Sequence, residues 1–364
     1  MSSDLVRQPD PHRALSPELA ADAESARRFA EAARSDATLR AYRSDWADFA
    51  AWCASRSIPS MPAAPETVSL YIASRAEAGP DDDSGRPTAP LKVATLRRRL
   101  AAISQAHKLA GVESPALRSK EPLHSVLAGV TRALGVAPEK VAPALAADVV
   151  AMAAACDEVV RLAEIAGDEA PPGAALRARR DKAMLLLGFA AALRRSELAA
   201  VEAHHLSYTP DGLRLLIPRS KSDQEGAGHV VGVAYGERPE TCPVRAVRSY
   251  VGAAGRALAD QGRPSPLSGP VFRGVDRWGR LGRRALTGRS VADVVKRYAA
   301  AAGLDPALYA GHSLRAGFAT TAARAGKPDR AIQKQTRHKS AAMLAEYVRE
   351  GRLFDDNASE GIGL

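Results

Sequence analysis

Along most of the chain, apolar residues recur every three or four positions, the period of a half-buried helix. Leu39, Tyr42, Trp46, Phe49 and Ala50 fall on one face of a predicted helix, LRAYRSDWADFAAWCASR, that Thr38 would cap. Pro59, Pro62 and Pro65 punctuate the loop after it. A second amphipathic helix is predicted over 67–77, carried by Val68, Leu70, Tyr71 and Ile72. A third covers 95–109, with Leu96, Leu100, Ile103 and His107 as its inward stripe, and a fourth covers about 122–134. The segment GPDDDSGRPTAP, 79–90, reads as a loop. Together these elements make a helical unit over 34–135, preceded by a polar segment, 1–33, expected to be flexible.

A linker is predicted over 136–145, within GVAPEKVAPAL, which has two prolines and few large apolar residues. A second unit, 146–350, follows. Helices are predicted at 146–166, 178–192, 243–260, 290–301, 313–325, 328–335 and 340–348. Only 201–235 changes period, and LRLLIPRSKSDQEGAGHVVGV within it reads as strand, turn, strand. The fold class is therefore mainly α: a helical N-terminal domain, then a mixed C-terminal domain with a small β-sheet. A tail, 351–364, completes the chain.

The length of 364 residues fits about two domains. With 46% hydrophobic and 25% charged residues, wholesale disorder is excluded. No stretch approaches the ~20 uninterrupted apolar residues of a membrane span, so no membrane partner is expected. The start, MSSDLVRQPDPHRAL, has no apolar signal-peptide core, and the expected location is cytoplasmic. Cys53, Cys156 and Cys242 are far apart and odd in number, which suits neither a disulfide framework nor a Cys-type zinc site. His204 and His205 are adjacent rather than on one helical face, so no metal is expected there. His229 reads as structural, and Trp46, Trp52 and Trp278 as core or interface aromatics.

The net charge is +10, and 41 of the 51 basic residues are Arg. Arg presents a planar fork of donors that matches phosphate oxygens. An Ala- and Arg-rich codon bias would give the same surplus. Charge alone leaves nucleic acid as one of two explanations.

Position says more than total charge. GFAAALRRSELAAV, 188–201, puts Arg194, Arg195 and Glu197 at the end of an apolar helix. PRSKSD, 218–223, puts Lys221 in a turn. AGHSLRAGFAT, 310–320, spaces His312 and Arg315 three apart, on one helical face. TRHKSAAMLAEYV, 336–348, places His338 nine residues before Tyr347. Each residue alone has an ordinary structural explanation. Their joint order in one domain of a basic protein does not.

That order resembles the tyrosine recombinase, or phage integrase, family, over about residues 34–350. LRRSEL matches the family's Leu-Arg-x-Ser-Glu-Leu segment, with Arg194 as the first catalytic Arg and Arg195 in the variable slot. The resemblance makes Lys221 the β-hairpin Lys, His312 and Arg315 the His-x-x-Arg box, His338 the second His and Tyr347 the nucleophile. Glu197 would support the site. Two departures stand out: Ala192 and Arg337 occupy positions where the family usually has Gly. The front unit, with TLRAYRSDWADFAAWC, is similar to the family's core-binding (SAM-like) domain and most nearly Cre-like.

The resemblance implies a site-specific DNA recombinase. It would cut and rejoin duplex DNA through a 3′-phosphotyrosine and a Holliday junction, needing neither cofactor, metal nor ATP. The implied partners are a double-stranded recombination site and further copies of the chain, as a tetramer on paired sites. Two guanidiniums suit this chemistry, because they neutralise phosphate oxygens and the charge that grows on them. A tyrosine hydroxyl, which ionises near pH ~10 in water, needs such activation.

Arg97, Arg98, Arg99, Arg195, Arg283 and Arg284 are candidate DNA contacts, and a solvated face explains them equally well. Leu353 and Phe354 in the tail would dock on a neighbouring protomer or pack on their own domain; the first is the expectation. Two other functions stay open at this point, a type IB topoisomerase-like relaxer and a non-catalytic DNA-binding protein.

Overall fold

Ser35, rather than Thr38, starts the helix over 36–54. Its hydroxyl accepts a hydrogen bond from the Thr38 backbone N–H at 3.3 Å. In this computed structural model the described residues are 35–77, 79–81, 87–136, 141–218, 228–338 and 340–352, with scattered positions between 19 and 28. The chain divides into two units, Met1–Glu139 and Lys140–Leu364.

The first unit holds α1 (Asp36–Ala54), α2 (Pro65–Ala76), α3 (Val93–Leu109) and α4 (Leu123–Leu134). Phe49, Tyr71, Ile72, Leu96, Leu100 and Ile103, read from the sequence as inward, form its core together with Trp52, whereas Leu70, read onto the same face as Val68 and Tyr71, is 60% exposed. His107 is fully buried and satisfied: Nε2 accepts from the Ala63 N–H at 3.0 Å and Nδ1 donates to the Ile103 carbonyl at 2.9 Å. The segment read as a loop at 79–90 contains two short antiparallel strands, β1 (Gly79–Asp81) and β2 (Pro87–Thr88).

Asp45 and Asp48 on α1 draw in the basic face of α3. Arg98 makes a fork to Asp45 with Nε and Nη2 at 2.8 and 3.0 Å. Arg99 bonds Asp48 at 2.6 Å and also the Tyr71 hydroxyl. Of the three arginines 97–99, Arg97 is exposed and makes no such pair among the described residues.

The second unit begins earlier than its first helix. Residues 141–145, read from the sequence as the end of a linker, are built into it. The Ala142 N–H donates to the Leu308 carbonyl at 2.7 Å and the Ala144 N–H to the Ser313 carbonyl at 2.9 Å. The small side chains that suggested a linker are what lets this backbone come close.

The helices are α5 (Ala146–Ala166), α6 (Ala174–Ala190), α7 (Arg195–Ala199), α8 (Pro243–Asp260), α9 (Gly288–Ala301), α10 (Ser313–Arg324), α11 (Asp329–Thr336) and α12 (Ala341–Gly351). The predicted strand pair is an antiparallel meander of three, β3 (Leu206–Thr209), β4 (Gly212–Ile217) and β5 (His229–Ala234). In β4, Leu213, Leu215 and Ile217 face the core and pair with Val233, Val231 and His229. A second ribbon, β6 (Arg273–Val275) with β7 (Leu281–Ala285), was not predicted. Trp278, in the turn between them, is 60% exposed, so it is no core residue.

Ala183 to Gly188 on α6 are buried without a break, so this helix is surrounded. A Cβ on Gly188 would lie 2.8 Å from Leu198 and 2.9 Å from Leu314. Its absence lets α6, α7 and α10 close together, which brings the Arg194 segment to the His312–Arg315 segment.

The closest approach is between Gly317 on α10 and Ala144. A Cβ on Gly317 would sit 1.7 Å from the Ala144 carbonyl oxygen. Gly317→Ala should therefore force backbone apart and destabilise the fold by about 2–3 kcal/mol. For a unit of this size that is a fall in Tm of about 5–10 °C. Calorimetry checks it; an unchanged Tm would mean that the approach is looser than described.

Candidate active site

The chain turns sharply between α6 and α7, and that turn aims the first guanidinium. Arg194 precedes the first turn of α7, with its N–H donating to Glu197 Oε2 at 2.9 Å. Its Nη1 reaches back to Glu197 Oε1 at 2.7 Å. Glu197 is thereby held at both oxygens, and it is buried. Burial would raise its pKa, but Arg337 and then the bonds from Arg194 outweigh that and lower it. Glu197 stays a carboxylate at neutral pH.

Arg315 lies one turn into α10 and is only 2% exposed. Its Nη1 donates to the Ala192 carbonyl at 2.8 Å. Nη2 is buried with no hydrogen-bond partner among the described residues. Burial, then Arg194 and Arg337, push its pKa down to about 9. It remains charged at neutral pH.

His312 and Tyr347 meet across α10 and α12, with Nε2 and the hydroxyl 3.0 Å apart. α12 is seated on α10 and α11 through Leu344 against Ala319, Ala323 and Ile332, and Tyr347 and Val348 pack on this cluster. The His338 ring stacks on Tyr347 with centroids 5.8 Å apart and planes 17° apart. Thr336 fixes the tautomer of His338. The Thr336 hydroxyl has one proton and spends it on the Ile332 carbonyl at 2.8 Å. At 2.9 Å from His338 Nδ1 it must therefore accept, so Nδ1 carries the hydrogen. Both imidazoles resist protonation. Desolvation, then Arg315, Arg194 and Arg195 lower the pKa of His312. Burial, then Arg315 and Arg194 push His338 down to about 4.

Sequence reasoning missed Arg337, Gln335 and Thr336. Gln335 ties α11 to two elements, donating to the Ala190 and Gly232 carbonyls at 2.7 and 3.0 Å. Arg337 points into the site and bonds Glu197 Oε2 at 2.7 Å. A signal was present in the two departures from Gly. Ala192 (φ 47°) and Arg337 (φ 57°) are two of the three described non-glycine residues with positive φ. Left-handed backbone costs an L side chain about 1–2 kcal/mol, which is why Gly suits both places.

Of the remaining candidates, Arg195 is exposed, its side chain lying across Gly311 and Gly288. Arg283 and Arg284 are exposed on β7. Lys221, Leu353 and Phe354 lie outside the described residues. His205 Nδ1 accepts from the Glu202 N–H at 3.1 Å. Among the described residues no three His, Cys, Asp or Glu converge as metal ligands, and no helix is long and apolar enough to cross a membrane.

Comparison with known proteins agrees with this picture. The family model described as "Phage integrase family" matches residues 155–352, which take in Arg194, Glu197, His312, Arg315, Arg337, His338 and Tyr347. An "Integrase/recombinase xerD homolog" of Selenomonas ruminantium is 35% identical over 334 residues, covering 92% of this chain and 87% of the relative. The "Tyrosine recombinase XerD" of Xanthomonas campestris pv. campestris is 32% identical over 169 residues, 46% of this chain and 47% of the relative. Among solved structures, residues 75–356 of lambda integrase, a dimer bound to a COC′ core site, superpose with a TM-score of 0.50 at 14% identity. That match covers 87% of this chain and 90% of the other. The fold is a tyrosine recombinase fold, and with a family match over the whole site and a relative alike along nearly its full length, the chain belongs to the phage integrase family of tyrosine recombinases.

Proposed function

We propose that this protein is a site-specific DNA recombinase that cuts and rejoins duplex DNA through Tyr347. The observation that carries the reading is a phenol held against His312 beside a buried guanidinium, Arg315, whose Nη2 has no hydrogen-bond partner among the described residues. Arg194 and Arg315 stand beside a single carboxylate among the described residues, Glu197, which Arg337 also pairs with. That excess of positive charge suits a phosphodiester anion, and suits still better the transition state, where the charge on the non-bridging oxygens grows.

The Tyr347 oxygen attacks the scissile phosphorus and its proton passes to neutral His312 Nε2. The bond from phosphorus to the 5′-oxygen breaks, and the leaving oxygen takes a proton from Lys221. One phosphodiester is exchanged for another, so the phosphotyrosine keeps the bond energy, and a 5′-hydroxyl from a second duplex reverses the step. No metal or nucleotide enters this balance. His338 supports the phenol by stacking. Two duplexes and four protomers then pass through a Holliday junction, with Leu353 and Phe354 docking on a neighbouring protomer. Exposed Arg97, Arg195, Arg283 and Arg284 add salt-sensitive grip on the backbone.

The test is a duplex made from genomic DNA that copurifies with the protein, nicked beside the cleavage point. A covalent adduct that survives denaturing electrophoresis supports the reading. An active preparation that never forms one on bound DNA would sink it.

The imidazoles add a pH dependence to the DNA-free protein. Unfolded His takes up a proton near pH ~6.5, whereas native His338 waits until about 4. In that window protons favour the unfolded chain. Stability is full above ~6.5 and falls as pH drops toward 4. Tm measured at pH 7.5 and pH 5 should show the fall, and His338→Gln should reduce it. An equal fall in the variant would remove His338 from the explanation.

A further inference from the structure

Two groups in the site are shared. Glu197 Oε2 accepts from the Arg194 N–H at 2.9 Å and from Arg337 Nη2 at 2.7 Å. The Ala192 carbonyl accepts from Arg315 Nη1 at 2.8 Å and lies 3.4 Å from Arg337 Nη2. Arg337 Nη1 also bonds the Ala191 and Gln335 carbonyls at 3.2 and 2.9 Å. Arg337 is thus the side chain common to both supports, and it is only 6% exposed.

We infer that Arg337 is a positioning residue, which sets Arg194 through Glu197 and Arg315 through the Ala191–Ala192 turn. The inference rests on the recombinase reading and deepens it. Arg337 occupies a left-handed residue, φ 57° and ψ 41°, where Gly would be favoured on backbone grounds alone. Keeping Arg there has a conformational cost, and the return is the fork to Glu197 and the turn. Without it, Glu197 is a buried carboxylate with Arg194 alone, and the Ala191–Ala192 carbonyls lose a cation. The turn itself is under the same constraint, because Ala192 is also left-handed. The two departures from glycine therefore touch each other, Ala192 giving the carbonyl and Arg337 the guanidinium.

The experiment measures single-turnover adduct formation and DNA affinity separately, for wild type, Arg337→Gly and Arg337→Lys. Glycine takes the left-handed backbone without strain, so this variant removes the side chain and spares the turn of the chain. The expected result is adduct formation slowed about 20-fold or more, with DNA Kd within about threefold of wild type. Misplacing catalytic groups by an ångström or so costs on this scale. Arg337→Lys keeps a cation near Glu197 but cannot make the fork. It too should be slow with Kd kept, which covers the case in which the glycine variant fails to fold. Combining Arg337→Gly with Glu197→Gln should add little beyond the slower single variant, since both act through one route.

Either variant reacting within about twofold of wild type would overturn the inference. So would parallel losses of rate, Kd and Tm, which would mean a merely structural role. If wild type itself forms no adduct, the recombinase reading fails instead.

Discussion

Replacing Tyr347 by Phe removes the covalent protein–DNA complex and leaves the rest of the protein as it was. Phenylalanine keeps the ring that stacks on His338 and the packing of α12 on α10. The hydroxyl and its bond to His312 are lost. That bond is exposed, so its loss costs little stability, about 0.5–1 kcal/mol. Tm should move by no more than about 2–3 °C. DNA affinity should hold, because the grip comes from guanidiniums. The adduct should fall below detection, at least ~10⁴-fold, since no step can replace the missing nucleophile. Denaturing electrophoresis on the nicked substrate reads this directly. An adduct from Tyr347→Phe at a rate near wild type would place the nucleophile elsewhere.

The second large effect belongs to Arg315. Arg315→Met replaces a buried cation by an apolar chain of similar volume. Adduct formation should slow by about 10³-fold, the scale of losing a preorganised donor to transition-state oxygens. Stability should hold or rise. Arg315 is buried beside Arg194 and Arg337, with Glu197 as the compensating carboxylate and Nη2 without a hydrogen-bond partner among the described residues. Removing a poorly compensated buried charge relieves repulsion. The same substitution has a spectroscopic signature. Arg315 is the first charged neighbour that depresses both His312 and His338, so their pKa values should rise toward ~6.5, visible by NMR titration of the imidazoles. A variant that cleaves within tenfold of wild type would deny Arg315 its role at the phosphate.

Much of this was legible in the sequence, for identifiable reasons. The core of the first unit follows the three- and four-residue spacing on α1 and α3, because a helix with one buried face must repeat that way. The order Arg194, His312, Arg315, His338, Tyr347 was legible because chemistry fixes residue types and local spacings. Their convergence was not, since it depends on Gly188 letting three helices close, and an isolated glycine inside an apolar run says nothing of its neighbours. β6 and β7 escaped because RGV and LGRRA show no alternation. Residues 141–145 were misread because small side chains signal loose chain locally and close backbone contact globally. Arg337 was the least legible. Propensity argues against Arg in a left-handed position, and only the partners it finds across the fold explain it.

Residues 141–145 have one more consequence. The chain enters the second unit at the base of α10. The Ala144 N–H is bonded to Ser313, the residue after His312, and the Ala144 carbonyl lies against Gly317. A tug on the chain at residue 141 is therefore borne by the backbone that carries His312 and Arg315. Residues 142–144 are mechanically one piece with α10, and tension in them is felt first at His312 and Arg315.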